Sequence, residues 1–127
     1  MRKKSLLLNL LIPALAGLLA AGCASYVQDV PFTVNSEPPG SFVLLQTKIP
    51  AQNLYDWVYM GTTPLSFERE MDFRQLRQAE SISLRMLKEG YFEQVKTWSP
   101  EDFYELYDDE GGISWDPHLV PMAAGQD

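Results

Sequence analysis

The chain has 127 residues, of which 46% are hydrophobic, a formal net charge of −7 and a single cysteine. This length suits one domain with one modest core and leaves no room for two. The acidic balance excludes electrostatic attraction to nucleic acid or to anionic lipid headgroups. A lone cysteine excludes an internal disulfide, so the fold must be stabilised by packing.

The first predicted element is a cleaved export signal over residues 1–22. Three basic residues at positions 2–4 precede an apolar run from Leu6 to Leu19, and small residues lead from this run to Cys23. A basic start, an apolar stretch and a small-residue exit are typical of a secretion signal. The apolar run is too short to span a bilayer, which requires about 20 apolar residues.

Residues 20–23 read Ala-Ala-Gly-Cys, which resembles the lipobox of bacterial lipoproteins. That family prefers Leu at the position of Ala20, whereas this chain has Leu19 one position further out. The resemblance implies cleavage before Cys23 and attachment of palmitate-type chains, which anchor a protein stably when there are two or three of them. Ala24 stands where an Asp would favour inner-membrane retention, which implies the outer membrane, facing the periplasm. The alternative is an ordinary secretory signal in which Cys23 is incidental.

Removal of residues 1–22 changes the charge of the protein. The removed part holds three of the ten basic residues and none of the seventeen acidic ones, so the remaining 105 residues carry a net charge of −10. A lipidated Cys23 is no longer a disulfide partner, metal ligand or nucleophile. Residues 23–29 are expected to form a lipidated tether between the membrane and the fold.

The tether leads into a domain predicted over residues 30–98, in which most elements are strands. Phe32 and Val34 alternate with polar residues, as in a half-buried strand. Residues 42–47 form an apolar run typical of a buried strand. After a looser segment rich in structure breakers, further short strand-like runs follow at residues 57–60 and 65–68.

The second half of this domain combines a short helix with a hairpin. Asp72 is a candidate N-cap for a helix within residues 70–80. Residues 81–88 alternate cleanly, and a turn at 89–90 connects them to a partner strand over residues 91–98.

Residues 99–127 are predicted to contain a short acidic helix and a loose C-terminal tail. Ser99 is a plausible N-cap and Pro100 suits the first helical position, so the helix is expected to run to about Tyr107. Ile113 and Trp115 are the tail residues that can dock onto the domain.

Four segments of this pattern resemble the PEGA domain: residues 34–41, 61–65, 82–84 and 90–91. Two departures are Pro-Pro-Gly-Ser at 38–41 in place of Pro-Glu-Gly-Ala, and longer segments at 48–60 and 70–80. The resemblance implies a small antiparallel β-sandwich on an extracytoplasmic protein, without catalytic activity. It assigns scaffold roles to a set of turn and strand-end residues: Gly40, Pro64, Gly90 and Tyr91.

Catalytic and metal-binding patterns are weak in this sequence. His118 is the only histidine and has no second histidine or free cysteine to complete a metal site. Acidic residues within 101–110 lack the alternating spacing of a calcium loop and suit a solvated helix face. We therefore expect no enzyme activity, no metal and no cofactor.

The aromatic residues are the strongest candidates for binding. Tyr55, Trp57, Tyr59 and Trp98 can stack on sugar rings or anchor a protein interface, although a small disulfide-free sandwich also uses such residues as core. The sequence thus favours a non-enzymatic, lipid-anchored envelope lipoprotein that contacts another envelope protein. The alternative is a module that binds peptidoglycan or a surface glycan through these aromatics.

Overall fold

The computed structural model describes residues 26–123, which form two β-sheets with one well-developed helix beside them. The strands are β1 (Val27–Val34), β2 (Phe42–Lys48), β3 (Val58–Thr62), β4 (Leu65–Asp72), β5 (Ser81–Leu87), β6 (Gln94–Trp98) and β7 (Ile113–Trp115). The helices are α1 (Phe73–Leu76), α2 (Pro100–Glu110) and a 3₁₀ turn (Pro50–Gln52). The predicted β-sandwich with one or two short helices is confirmed. The predicted signal peptide and Cys23 lie outside the described residues.

The two sheets differ in their pairing. One sheet has the order β4–β1–β7, with β1 antiparallel to β4 over its whole length and parallel to β7. The other has the order β3–β2–β5–β6 and is antiparallel throughout. The strands of both sheets run between two ends of the sandwich. One end holds Tyr26, α1 and the start of α2, and the other holds the turn that follows β1 and the β5–β6 turn.

The core lies between the sheets and follows the alternation of the strands. Val30, Phe32 and Val34 of β1 are buried, as the period of two predicts. The Phe32 ring stacks on Phe67 of β4, with centroids 4.7 Å apart. Phe103 of α2 is fully buried and lies 6.1 Å from Phe32, so it ties the helix to the sandwich.

Both α-helices have a side-chain N-cap at the residue predicted from the sequence, Asp72 for α1 and Ser99 for α2. Asp72 Oδ1 accepts a hydrogen bond from the Arg74 N–H at 2.9 Å, which begins α1. Ser99 Oγ accepts one from the Asp102 N–H at 3.1 Å, with Pro100 at the first position of α2. Each cap satisfies an N–H group that has no partner inside the helix.

A network of buried hydroxyl groups joins the first two segments of the PEGA-like pattern. Thr63 Oγ1 accepts hydrogen bonds from the N–H groups of Gly40 and Ser41, at 3.1 and 2.9 Å. These bonds fill both lone pairs of the oxygen, so its proton is donated to Ser36 Oγ, 2.7 Å away. Ser36 Oγ donates in turn to the Pro38 carbonyl at 2.7 Å. Two turns that are distant in sequence are therefore held together at one end of the sandwich.

The predicted domain boundaries and loose tail require correction. The first strand begins at Val27, inside the predicted tether, because Val27 pairs with Asp72. The sandwich does not end at residue 98, since β7 pairs with β1 and buries Ile113. Leu119 is also buried, so the chain stays docked well beyond α2.

Candidate functional site

Side chains along β2 alternate between the core and the outer surface of the four-stranded sheet. Val43 and Leu45 point into the core, which directs Phe42 and Leu44 to the opposite side. Leu44 pairs with Tyr59 of β3 and with Arg85 of β5, so these side chains share that outer side. The sequence prediction of a buried strand over 42–47 is therefore correct for one face only.

Four aromatic side chains lie on this outer surface and define what we call the aromatic face: Phe42, Tyr55, Trp57 and Tyr59. Tyr59 and Phe42 are 58% and 52% exposed, Tyr55 is exposed and Trp57 is half-buried. The rings of Phe42 and Tyr59 meet edge to face, with centroids 6.0 Å apart and planes 64° apart. The Tyr59 hydroxyl lies 2.9 Å from Thr62 Oγ1, which fixes the outer end of the ring.

Two cationic side chains lie over the remaining rings. The Arg85 guanidinium is 5.8 Å from the Trp57 ring centroid and forms an ion pair with Glu93, whose Oε2 is 2.9 Å from Arg85 Nε. Lys48 Nζ lies 6.0 Å from the Tyr55 centroid and 3.2 Å from Glu80. Both cations are thus neutralised locally, and the aromatic face has little net charge although the protein is strongly acidic.

The outer surface of the three-stranded sheet has a different character. Its exposed strand positions are mainly polar or charged: Asp29, Thr33, Ser66, Glu68, Glu70 and Ser114. Because most apolar side chains of these strands face the core, this surface suits contact with water. The two outer surfaces of the sandwich therefore differ in chemistry, and only one of them presents clustered large apolar side chains.

The structure brings together three of the four predicted contact residues. Tyr55, Trp57 and Tyr59 all lie on the aromatic face, against Lys48, Arg85 and Phe42 respectively. Trp98 does not belong with them, because it is only 8% exposed and packs edge to face against Phe103 at 6.0 Å. The pairing of Trp98 with Ile82 places it on the inner side of the sheet, so its assignment as a contact residue is wrong.

Phe42 is the member of the aromatic face that sequence reasoning missed. It stands in the uninterrupted apolar run Phe-Val-Leu-Leu, which hides the period of two. Only the structure identifies it: Val43 is fully buried, and a buried residue in a strand directs the adjacent side chain outwards.

Other candidate chemistry remains dispersed. Within residues 26–123, no group of three or more His, Cys, Asp and Glu side chains is arranged to hold a metal ion. His118 is exposed, and its backbone forms an isolated bridge to Glu37. Across that same part of the chain, every helix is too short or too polar to cross a membrane.

The fold and the surface define a small two-sheet β-sandwich with one aromatic outer face. Comparison with models of known families, with characterised proteins and with solved structures gives no match for this chain. The resemblances to the lipobox and to the PEGA domain stay predictions from the sequence.

Proposed function

We propose that the protein is a non-enzymatic, lipid-anchored lipoprotein of the bacterial envelope, held at the outer membrane and facing the periplasm. In this proposal the aromatic face docks onto another envelope protein. The observation that carries it is the difference between the two outer surfaces of the sandwich. Exposed clusters of large apolar side chains mark interaction sites on soluble domains, whereas a sheet that only faces water is polar.

The charge of the aromatic face supports a protein partner with an apolar, uncharged surface. Arg85 and Lys48 are each satisfied by a neighbouring carboxylate, so neither offers a free charge to a ligand. Aromatic residues and Arg are enriched in the cores of protein interfaces, while Lys, Glu and Asp are depleted there. A strongly acidic partner would be repelled by the rest of this molecule.

The orientation of the rings supports a protein surface over a glycan. Stacking on a sugar requires a ring with one flat side free, and Arg85 occupies one side of the half-buried Trp57. Phe42 and Tyr59 are tilted by 64° to one another and so form no common plane. The experiment must therefore distinguish binding of a protein partner from binding of a glycan at this face.

Site-specific photocrosslinking in intact cells tests the docking face. A photoreactive phenylalanine analogue replaces Tyr59 in one variant and Glu68 in a control, since Glu68 is exposed on the polar outer surface. We expect one protein adduct from position 59 that is absent from position 68 and is lost when Phe42→Ser is added. Capture of glycan released by a muramidase would favour the alternative function, and equal adducts from both positions would refute a specific face.

A separate experiment tests the anchor. Cells fed labelled palmitate are expected to label the wild-type chain and not Cys23→Ala, and the variant should leave the membrane fraction. Ser25→Ala is the matched control, because it changes a nearby small residue and keeps the thiol. Equal labelling of wild type and Cys23→Ala would contradict lipidation at this residue.

A further inference from the structure

A second surface lies at the end of the sandwich that holds Tyr26. There a groove of about 950 Å³ separates the start of β1 from α1 and α2, and we call it the α1–α2 groove. Its volume is within the range of small-ligand sites. Four rings line it: Tyr26, Phe73, Tyr104 and Tyr107. The Phe73 centroid is 5.4 Å from those of both Tyr104 and Tyr107, so the floor of the groove is a packed aromatic cluster.

Three charged side chains also line this groove, and none of them is neutralised within residues 26–123. Glu101 and Asp108 are two turns apart on α2 and therefore face the same way. Arg77 follows the last turn of α1 on the opposite wall. No ion pair within the described range involves any of the three. The groove thus offers two carboxylates beside aromatic rings, and one guanidinium.

The position of Tyr26 relates the groove to the predicted anchor. The Tyr26 carbonyl accepts a hydrogen bond from the Phe73 N–H at 2.9 Å, and the Arg74 guanidinium lies 4.9 Å from its ring centroid. Tyr26 is therefore fixed to the wall of the groove. Three residues of chain span at most about 11 Å, so a lipid on Cys23 keeps Tyr26, at one wall of the groove, within that distance of the anchored residue.

We propose that the α1–α2 groove binds the headgroup of a zwitterionic phospholipid in the membrane that carries the anchor. Aromatic faces and the carboxylates of Glu101 and Asp108 complement an ammonium group, and Arg77 complements the adjacent phosphate. Tyr side chains suit this position because one end of the ring is apolar and the other is wet. The phosphatidylglycerol headgroup lacks the ammonium, and its phosphate would be repelled by the two carboxylates. This inference rests on the proposed lipid anchor.

Fluorescence quenching on vesicles tests the position of the groove. Since Cys23 is the only cysteine and lipid occupies its thiol in the proposed protein, an introduced cysteine is the single site for a fluorophore. Glu105→Cys places the fluorophore on α2 beside the groove, and Glu89→Cys places it in the β5–β6 turn at the opposite end. Both chains are reconstituted in phosphatidylcholine–phosphatidylethanolamine vesicles that contain a lipid with a nitroxide headgroup.

We expect roughly two-fold or greater quenching at position 105 relative to position 89, since only the groove end lies within tether reach of the headgroups. Adding Glu101→Gln and Asp108→Asn should lower the quenching at 105 toward the value at 89, because the two carboxylates no longer attract the ammonium group. Both positions are exposed, and unchanged thermal unfolding will verify that this variant folds.

The outcomes separate the groove from the anchor. Equal quenching at the two positions on protein that stays on the vesicles would overturn the groove proposal alone. The groove proposal alone would also be overturned if the quenching at 105 were unchanged when phosphatidylglycerol replaces the zwitterionic lipids. Release of the wild-type chain from washed vesicles would overturn the anchor and this inference with it.

Discussion

Replacing Thr63 with Val tests the buried hydroxyl network most directly. Thr63 is 4% exposed, and its hydroxyl accepts from two backbone N–H groups and donates to Ser36. Valine keeps the shape of threonine and removes the oxygen. The Gly40 N–H retains a bond to the Thr63 carbonyl at 3.0 Å, whereas the buried Ser41 N–H loses its acceptor.

The expected loss of stability follows from these contacts. A buried N–H left without a partner costs about 1–3 kcal/mol, and the lost bond to Ser36 adds about 1 kcal/mol. The added apolar methyl group returns up to about 0.8 kcal/mol. We therefore expect Thr63→Val to lower the free energy of unfolding by about 1–3 kcal/mol, a large part of the roughly 5–15 kcal/mol typical of a domain.

Urea unfolding of the purified protein measures this change. At a slope of about 1–2 kcal/mol per molar, the midpoint should fall by roughly 0.5–3 M. Thr63→Ser keeps the oxygen and removes one methyl group. The free energy of unfolding should fall by the cost of that methyl group, and any additional loss should be less than about 1 kcal/mol. Thr33→Val, on the exposed side of β1, should change stability by less than about 0.5 kcal/mol. Equal losses from Thr63→Val and Thr63→Ser would refute the role assigned to the hydroxyl.

Two further substitutions test how the C-terminal part is held. Phe103→Ala should lower the free energy of unfolding by about 3–5 kcal/mol, because this fully buried ring joins α2 to both sheets. A loss below about 1 kcal/mol, measured by urea unfolding, would contradict that contact. In Gly112→Ala the new Cβ would lie 2.8 Å from the Pro31 carbonyl oxygen, so β7 must shift at a cost of about 1–3 kcal/mol. Faster amide exchange at Asn35, whose N–H bonds to the Trp115 carbonyl, would report this shift, and unchanged exchange would argue against it.

The elements that the sequence predicts correctly carry local signals. Alternation marks β1 and β5, and cap residues mark the starts of α1 and α2. The short strand β7 has no such signal, since three residues between Gly112 and Asp116 resemble a loop. Its pairing with β1 depends on contacts between residues about 80 positions apart in the chain, such as Phe32 with Ile113.

The candidate site could be predicted in part for a similar reason. Tyr55, Trp57 and Tyr59 could be predicted as exposed aromatics of a loose segment, whereas their common surface depends on contacts with Lys48, Arg85 and Phe42 from other strands. Trp98 is in an edge strand whose inner positions Gln94 and Lys96 are polar, so no apolar period marks its inward side. Only the register of the β5–β6 hairpin, which pairs Trp98 with buried Ile82, assigns it to the core.

The two proposed surfaces are compatible because they occupy different parts of the sandwich. The strands of the four-stranded sheet extend from the end that holds Tyr26 to the opposite end. In a protein anchored at the Tyr26 end, the aromatic face is therefore parallel to the strands and directed away from the lipid. Anchoring two partners to one membrane raises their effective concentration to the millimolar range for short tethers, so a docking contact of modest affinity is sufficient. The aromatic face suits such a contact: its cations are already paired and its rings are partly packed on one another, which limits the free energy that a partner can gain. On this reasoning, detaching the anchor should weaken docking even when the aromatic face is intact.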